Sequence, residues 1–139
     1  MKKLLKRILV IATAALMLVT LVSCGGPAAD PEDAKAALEE NGYTAVLLDG
    51  TAVEIAAAAL GVEDMEANLT AFKEDNAITI YYFENKDAAE AAWEKIEDEA
   101  EEAKKEYDEE KDEDDPDFVI KKSGAMIYFG TADAVKAAK

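Results

Sequence analysis

The pattern of hydrophobic and polar positions divides the chain into two parts at Cys24. Positions 8–22 are apolar almost without interruption and follow a short cluster of positive charge. Beyond Cys24, apolar residues recur instead at helical spacing or in alternation. About 15 apolar residues span roughly 22 Å as a helix, which is short of a ~30 Å hydrocarbon core. The first part is therefore predicted to be an export signal, and the second a folded domain.

Two short helices are predicted in the first half of the domain from their capping residues. The first begins at positions 30–31, an aspartate cap followed by a proline in the first turn, and it ends at the Asn-Gly pair 41–42. The second begins at Thr51, which forms a capping box with Glu54, and it ends at Gly61. Its buried face is predicted to hold four apolar residues, namely Ile55, Ala56, Ala59 and Leu60.

A long helix is predicted to begin at Asn85 and to end between Asp112 and Pro116, because apolar residues recur there at spacings of three and four. This seam consists of Ala89, Trp93, Ile96, Ala100, Ala103 and Tyr107. We interpret it as the core face of a surface helix. A coiled-coil partner is the weaker alternative, since a short seam made mostly of alanine forms a weak zipper. The chain is expected to be a monomer, and a short last helix is expected after Thr131.

Five strands are predicted, at residues 43–48, 66–73, 77–84, 118–122 and 125–129. The third strand is apolar on both sides, which indicates a central strand that is covered on each face. A tight turn at Ser123 and Gly124 joins the last two strands as a hairpin. The element order α-β-α-β-β-α-β-β-α predicts an α+β fold with an open, mainly antiparallel sheet of about five strands and helices packed on it.

The residues around the single cysteine resemble the lipobox of bacterial lipoproteins. Leu21-Val22-Ser23-Cys24 closes the apolar run, and four basic residues precede that run, namely Lys2, Lys3, Lys6 and Arg7. The resemblance implies that a diacylglyceryl group is attached to the thiol of Cys24 and that a peptidase cuts between Ser23 and Cys24. Two acyl chains suffice for stable anchoring. We therefore expect a protein on the outer side of the cell membrane, bound to that membrane through lipid on Cys24.

The same resemblance divides the chain into a signal peptide at 1–23, a lipidated cysteine with a short tether at 24–30, and a single acidic domain at 31–139. The tether is expected to be a flexible spacer that reaches at most about 25 Å. The domain would then lie near the membrane, where an envelope protein partner is within reach. A free Cys24 in a leader without lipid is the alternative. Whether the host has one membrane or two stays open.

Charge restricts the partners of the domain. All 31 acidic residues follow Cys24, against 11 of the 15 basic residues, so this part carries a formal charge of −20. Because phosphate binding needs the opposite sign, no nucleic acid partner is expected. Cationic peptides, basic protein surfaces and divalent cations are electrostatically favourable. The chain has no histidine, which excludes imidazole acid–base chemistry and ordinary zinc sites, and no cofactor is expected.

The acidic stretch at residues 87–117 is the first candidate for binding, and its densest part lies at 106–117. Oxygen ligands in a loop suit Ca²⁺, yet the glycine and the closing glutamate of an EF-hand are missing. We therefore interpret the stretch as a solvated helix end and loop, and no metal site is predicted. Binding of divalent cations or cationic peptides through residues 106–117 is the alternative function.

Aromatic residues are the second candidate, and strand aromatics are more typical of a core than of a pocket. They are Tyr81, Tyr82, Phe83, Trp93, Tyr128 and Phe129. If one face of the sheet were uncovered, its tyrosines would form a binding surface. The hydroxyl side chains have no neighbouring base motif, so no catalytic residue is predicted and the chain is not expected to be an enzyme.

Three further segments, at 33–43, 81–93 and 127–131, are similar to segments of small uncharacterised lipoproteins of Gram-positive bacteria. The similarity implies a shared structural signature and assigns no functional residue. Together with the lipobox, it predicts a membrane-anchored binding or accessory module for another cell-envelope component.

Overall fold

The structure, a computed structural model, describes residues 26–139, so Ser23, Cys24 and the predicted signal peptide lie outside the described residues. The elements are α1 (Pro31–Glu40), β1 (Thr44–Leu48), α2 (Gly50–Leu60), β2 (Met65–Lys73), β3 (Asn76–Phe83), α3 (Lys86–Glu110), β4 (Phe118–Ser123), β5 (Met126–Thr131) and α4 (Ala132–Ala137). This order confirms the predicted α+β fold with five strands.

The strands form one sheet in the order β1-β2-β3-β5-β4, and every neighbouring pair is antiparallel. Hairpins join β2 to β3 and β4 to β5. The chain leaves the central strand β3, passes along α3 to the far edge at β4, and returns as β5. The β4–β5 turn lies at Gly124 and Ala125, one residue later than predicted, because Gly124 takes the positive φ of 60° that the turn requires.

The two faces of the sheet carry separate cores. Helices α1 and α4 cover one face, here the α1/α4 face, where Leu38 packs on Leu69 and Ile80. Helices α2 and α3 lie on the other, the α2/α3 face, where Ile96 packs near Ile127. Residues of β3 serve both cores in alternation, which confirms the prediction of a central strand with cover on each face. On the α2/α3 face this cover does not extend to Ala77, which is exposed.

The predicted buried face of α2 was wrong. The helix begins at Gly50 rather than after Thr51, and its inward side chains are Val53 and Ala57. Ile55, which was predicted to be buried, is 67% exposed. Nearly every position of this helix is apolar or alanine, so its pattern does not define a face. The position of the helix on the sheet decides which side is buried.

The long helix α3 follows its prediction closely. Asn85 caps it, since the Asn85 side chain accepts a hydrogen bond of 2.8 Å from the Ala88 N–H. Within the seam, Ala89, Ile96 and Ala100 are buried, and the other three residues are partly buried, namely Trp93, Ala103 and Tyr107. The seam packs on the sheet, which confirms its interpretation as a core face.

Candidate functional site

Part of the α2/α3 face is left uncovered by both helices. Val46 and Phe72 are 50% and 51% exposed, although both lie within strands. They belong to an uncharged surface that we name the open patch, which consists of Thr44, Val46, Thr70, Phe72, Ala77 and Thr79. Such exposed apolar sheet surface within an otherwise buried sheet indicates a contact site.

The open patch consists of two rows across three strands. Its side chains are direct cross-strand neighbours, so they form one continuous surface and not scattered exposed positions. The paired residues are Val46 with Thr70, Thr70 with Thr79, Thr44 with Phe72, and Phe72 with Ala77.

The patch ends where the cover of the two helices begins. The next row of the same face consists of Leu48, Asn68 and Tyr81, and here Tyr81 is only 5% exposed. Asn68 donates a hydrogen bond of 3.2 Å from Nδ2 to the carbonyl oxygen of Ile80. Helix α2 has 11 residues, or roughly 16 Å, and packs on β2 near this row. The helix is too short to extend over the two rows of the open patch as well.

An acidic flank of α3 borders the patch. The Tyr81 hydroxyl lies 3.5 Å from Glu99 Oε2, which places Glu99 on the side of α3 that faces β3 and β2. Glu106 follows seven residues later, two turns or about 10 Å further along the same side of the helix. Both glutamates are exposed. Lys95, one turn before Glu99, donates to the carbonyl oxygen of Gly61 and so contacts the α2 end.

The tyrosines of the strands do not form a binding surface, although part of one sheet face is uncovered. Tyr81, Tyr82 and Tyr128 are 5%, 5% and 2% exposed, so the interpretation of the strand aromatics as core residues is confirmed. Burial raises the pKa of Tyr43 to about 12, which leaves its hydroxyl protonated at neutral pH. The residues of the uncovered part are instead threonine, valine, phenylalanine and alanine. Alternation along β2 indicates which residues share the side of Phe72, but it cannot indicate that this side lacks cover.

The acidic segment 106–117 is held together by hydrogen bonds and by an ion pair. Tyr107 donates a hydrogen bond of 2.7 Å to the carbonyl oxygen of Pro116, and Lys111 lies 3.3 Å from Asp117. Asp115 is 8% exposed, and its Oδ2 accepts from the Asp112 N–H at 2.8 Å. Its Oδ1 has no hydrogen-bond partner. Within residues 26–139, no group of three or more histidine, cysteine or acidic side chains is arranged to hold a metal ion.

One carboxylate of α4 has a displaced pKa. Burial raises the pKa of Asp133 from 3.8 to about 6, and the nearby Lys136 opposes this shift. Oδ2 of Asp133 is buried without a hydrogen-bond partner. The charged form is therefore poorly solvated, which makes Asp133 a source of pH dependence in the domain.

The residues before α1 lie against the domain, and this differs from the expected flexible spacer. Residues 26–30 form what we name the N-terminal strap. The Ala28 N–H donates to the Ala138 carbonyl oxygen at 2.8 Å, and the Tyr82 hydroxyl donates to the Ala28 carbonyl oxygen at 2.9 Å. Pro27 is buried. Hydrogen bonds to α4 and β3 thus fix a segment whose composition alone suggested free movement.

Among the helices within residues 26–139, none combines the length and the apolar character needed to cross a membrane. The chain matches no protein family model, no curated protein and no solved structure.

Proposed function

We propose that the chain is a membrane-anchored extracytoplasmic lipoprotein that acts as a binding or accessory module for another cell-envelope component. The open patch carries the binding role, because Val46 and Phe72 remain half exposed on a sheet that is otherwise covered. Contact with a partner would remove this apolar surface from water. The lipobox at Cys24 supports the anchor.

The charge around the patch favours a partner with basic side chains. Glu99 and Glu106 border an uncharged surface, and the domain carries a formal charge of −20 after Cys24. A polypeptide with an apolar contact surface and basic residues beside it would be attracted and correctly oriented. A second copy of the chain would place like charges together, which disfavours self-association through the patch.

Site-specific photocrosslinking in cells tests the binding role. A photoreactive amino acid placed at Phe72 is expected to capture one basic envelope protein. The same amino acid at Ile55 is the matched control, because Ile55 is 67% exposed but lies on α2, outside the patch. Capture of the same proteins from both positions, or of none from position 72, would reject the patch as a docking surface.

The acidic border is tested separately. With the captured partner in hand, the double variant Glu99→Gln and Glu106→Gln is expected to weaken binding roughly three- to tenfold, since two exposed charge pairs contribute on the order of 1 kcal/mol together. Glu94→Gln and Glu101→Gln serve as the charge-matched control, because these exposed glutamates are also seven residues apart but lie on another side of α3. Equal weakening by both double variants would show that net charge matters and the border does not.

The anchor has its own test. Cys24→Ala is expected to release the protein from the membrane fraction or to leave the signal peptide uncleaved. Unchanged fractionation and unchanged processing would refute lipidation at Cys24, while the binding role of the open patch would be unaffected.

Binding of divalent cations through residues 106–117 is a second candidate, favoured by the unpaired Oδ1 of the buried Asp115. A ligand of the native state raises the melting temperature. For this candidate, millimolar Ca²⁺ is expected to raise the melting temperature of the full chain, and Asp115→Asn is expected to abolish the rise. An unchanged melting temperature at millimolar Ca²⁺ would reject it.

A further inference from the structure

We infer that the N-terminal strap sets the orientation of the domain on the membrane. The end of the sheet at the β4–β5 turn faces the lipid, and the open patch and the acidic end of α3 point away from it. This inference rests on the proposed lipid anchor at Cys24, and it adds the surface by which the domain meets the bilayer.

The strap is held against the domain from Gly26 to the start of α1. Ala28 is bonded on both sides, through its N–H to Ala138 and through its carbonyl oxygen to Tyr82. Gly26 lies so close to Tyr128 that an added Cβ would be 2.7 Å from the tyrosine hydroxyl oxygen. Asp30 then caps α1 by accepting a hydrogen bond of 2.8 Å from the Glu32 N–H.

The strap reaches the domain at one end of the sheet. Gly26 and Pro27 line a cavity together with Ser123, Gly124 and Met126, which belong to the β4–β5 turn and its flanks. Cys24 precedes Gly26 by two residues, so its Cα lies within about 7 Å of that of Gly26. Acyl chains on Cys24 would therefore hold this end of the sheet at the lipid surface.

The open patch lies toward the opposite end. Tyr82 bonds to the strap, whereas Ala77 lies in the patch beside Phe72. The two residues are five positions apart along β3, or about 17 Å. Helix α3 begins at Lys86 beside the strap end, and its 25 residues extend about 37 Å toward Glu110. The densest acidic segment is thus at the far end of the molecule.

This arrangement suits the charge of the chain. Anionic head groups repel acidic side chains, and the repulsion falls off within a Debye length of about 8 Å at physiological salt. A separation of tens of ångströms removes the segment at 106–117 from that field. The turn nearest the lipid is formed by uncharged residues, Ser123, Gly124 and Ala125. Glu66 is the one acidic side chain among the residues that line the cavity beside this turn.

Spin labels on the anchored protein test the orientation. Once Cys24 carries lipid, an introduced cysteine is the one free thiol, so Ser123→Cys and Glu109→Cys can each be labelled in the full lipoprotein. Both positions are exposed. In vesicles that contain nickel-chelating lipid, we expect relaxation of the label at 123 to be enhanced at least about fivefold more than at 109, because their distances from Cys24 differ by tens of ångströms. Equal or reversed enhancement would overturn the proposed orientation.

A spacer variant links the result to the strap. Ten glycine and serine residues inserted between Gly25 and Gly26 keep the strap but add an r.m.s. reach of about 17 Å. The difference between the two labels is expected to shrink severalfold. An unchanged difference would show that something other than the strap orients the domain.

Flotation of the same vesicles separates the two proposals. Labelled protein that fails to float with lipid would refute the anchor at Cys24. Protein that floats but shows no difference between the labels would refute the orientation and leave the anchor intact.

Discussion

The two faces of the sheet are formed by the same strands but differ in how completely helices cover them. On the α1/α4 face, Leu69 and Ala71 of β2 are 0% exposed. On the α2/α3 face, Phe72 of the same strand is 51% exposed. An alanine is thus buried beside a phenylalanine that faces water. In this sheet, burial therefore follows from where the helices end and not from the hydrophobicity of a residue.

The α1/α4 face is closed by three segments instead of two. Besides its helices, it is covered by the N-terminal strap, whose Ala28 packs against the core. On the α2/α3 face, the long helix packs over β3, β5 and β4, while the short α2 packs on β2. Neither helix covers this face at β1 and at the second half of β2, and the open patch lies there.

The largest difference between the faces is expected from adjacent residues of β2. Leu69→Ala removes a fully buried side chain and should lower the free energy of unfolding by about 3 kcal/mol. Thr70→Ala, one residue further along and on the open side, should change it by less than about 0.5 kcal/mol. Urea denaturation of both variants measures this. A similar decrease in the free energy of unfolding for both variants would show that the patch is covered in solution.

A smaller effect comes from Asp133, which α4 holds partly buried. Its pKa of about 6 exceeds the ordinary 3.8, so the folded state binds this proton more tightly than the unfolded chain. The resulting stability is complete below pH 4 and is lost as the pH rises through 6. Relative to Asp133→Asn, the native chain should lose roughly 1–2 kcal/mol of unfolding free energy between pH 4 and pH 7.5. Parallel pH profiles of the two proteins would contradict the raised pKa.

Adjacent tyrosines on opposite faces give a third, smaller contrast. Tyr82→Phe removes the donor to the Ala28 carbonyl oxygen and should lower the free energy of unfolding by about 1 kcal/mol. It should also speed hydrogen exchange at the Ala28 amide. Tyr81→Phe loses only a 3.5 Å approach to an exposed glutamate, so it should be nearly neutral. Equal exchange at Ala28 in both variants would argue against a strap held by Tyr82.

The last contrast lies inside the open patch itself. Phe72 is half exposed, so Phe72→Ser should lower the free energy of unfolding by only about 1 kcal/mol, well below the cost at Leu69. Capture of the partner in cells, followed with a photoreactive amino acid at Val46, should be lost in the same variant. Ile55→Ser is the matched control and should preserve capture. A strongly destabilised Phe72→Ser would mean that Phe72 serves the fold and not a partner.

The element order, the central strand and the core seam of α3 could be predicted from local patterns along the chain. These follow from local patterns, because capping residues, turns and apolar spacing act over a few residues. The central position of β3 could be predicted because residues 78–83 are all apolar or aromatic except for one threonine, so both sides of the strand are suited to burial. The lipobox at Cys24 likewise depends on four adjacent residues, and it stays a prediction.

Three features depend on how distant segments pack together: which side of α2 is buried, where the strap lies and which part of the sheet is open. Ile55 is exposed although it is apolar, because the sheet touches α2 on its other side. Ala28 is fixed by residues 54 and 110 positions away in the chain. Phe72 is uncovered because helix lengths and packing positions leave a corner free. Each of these outcomes depends on contacts between distant segments, which no local pattern encodes.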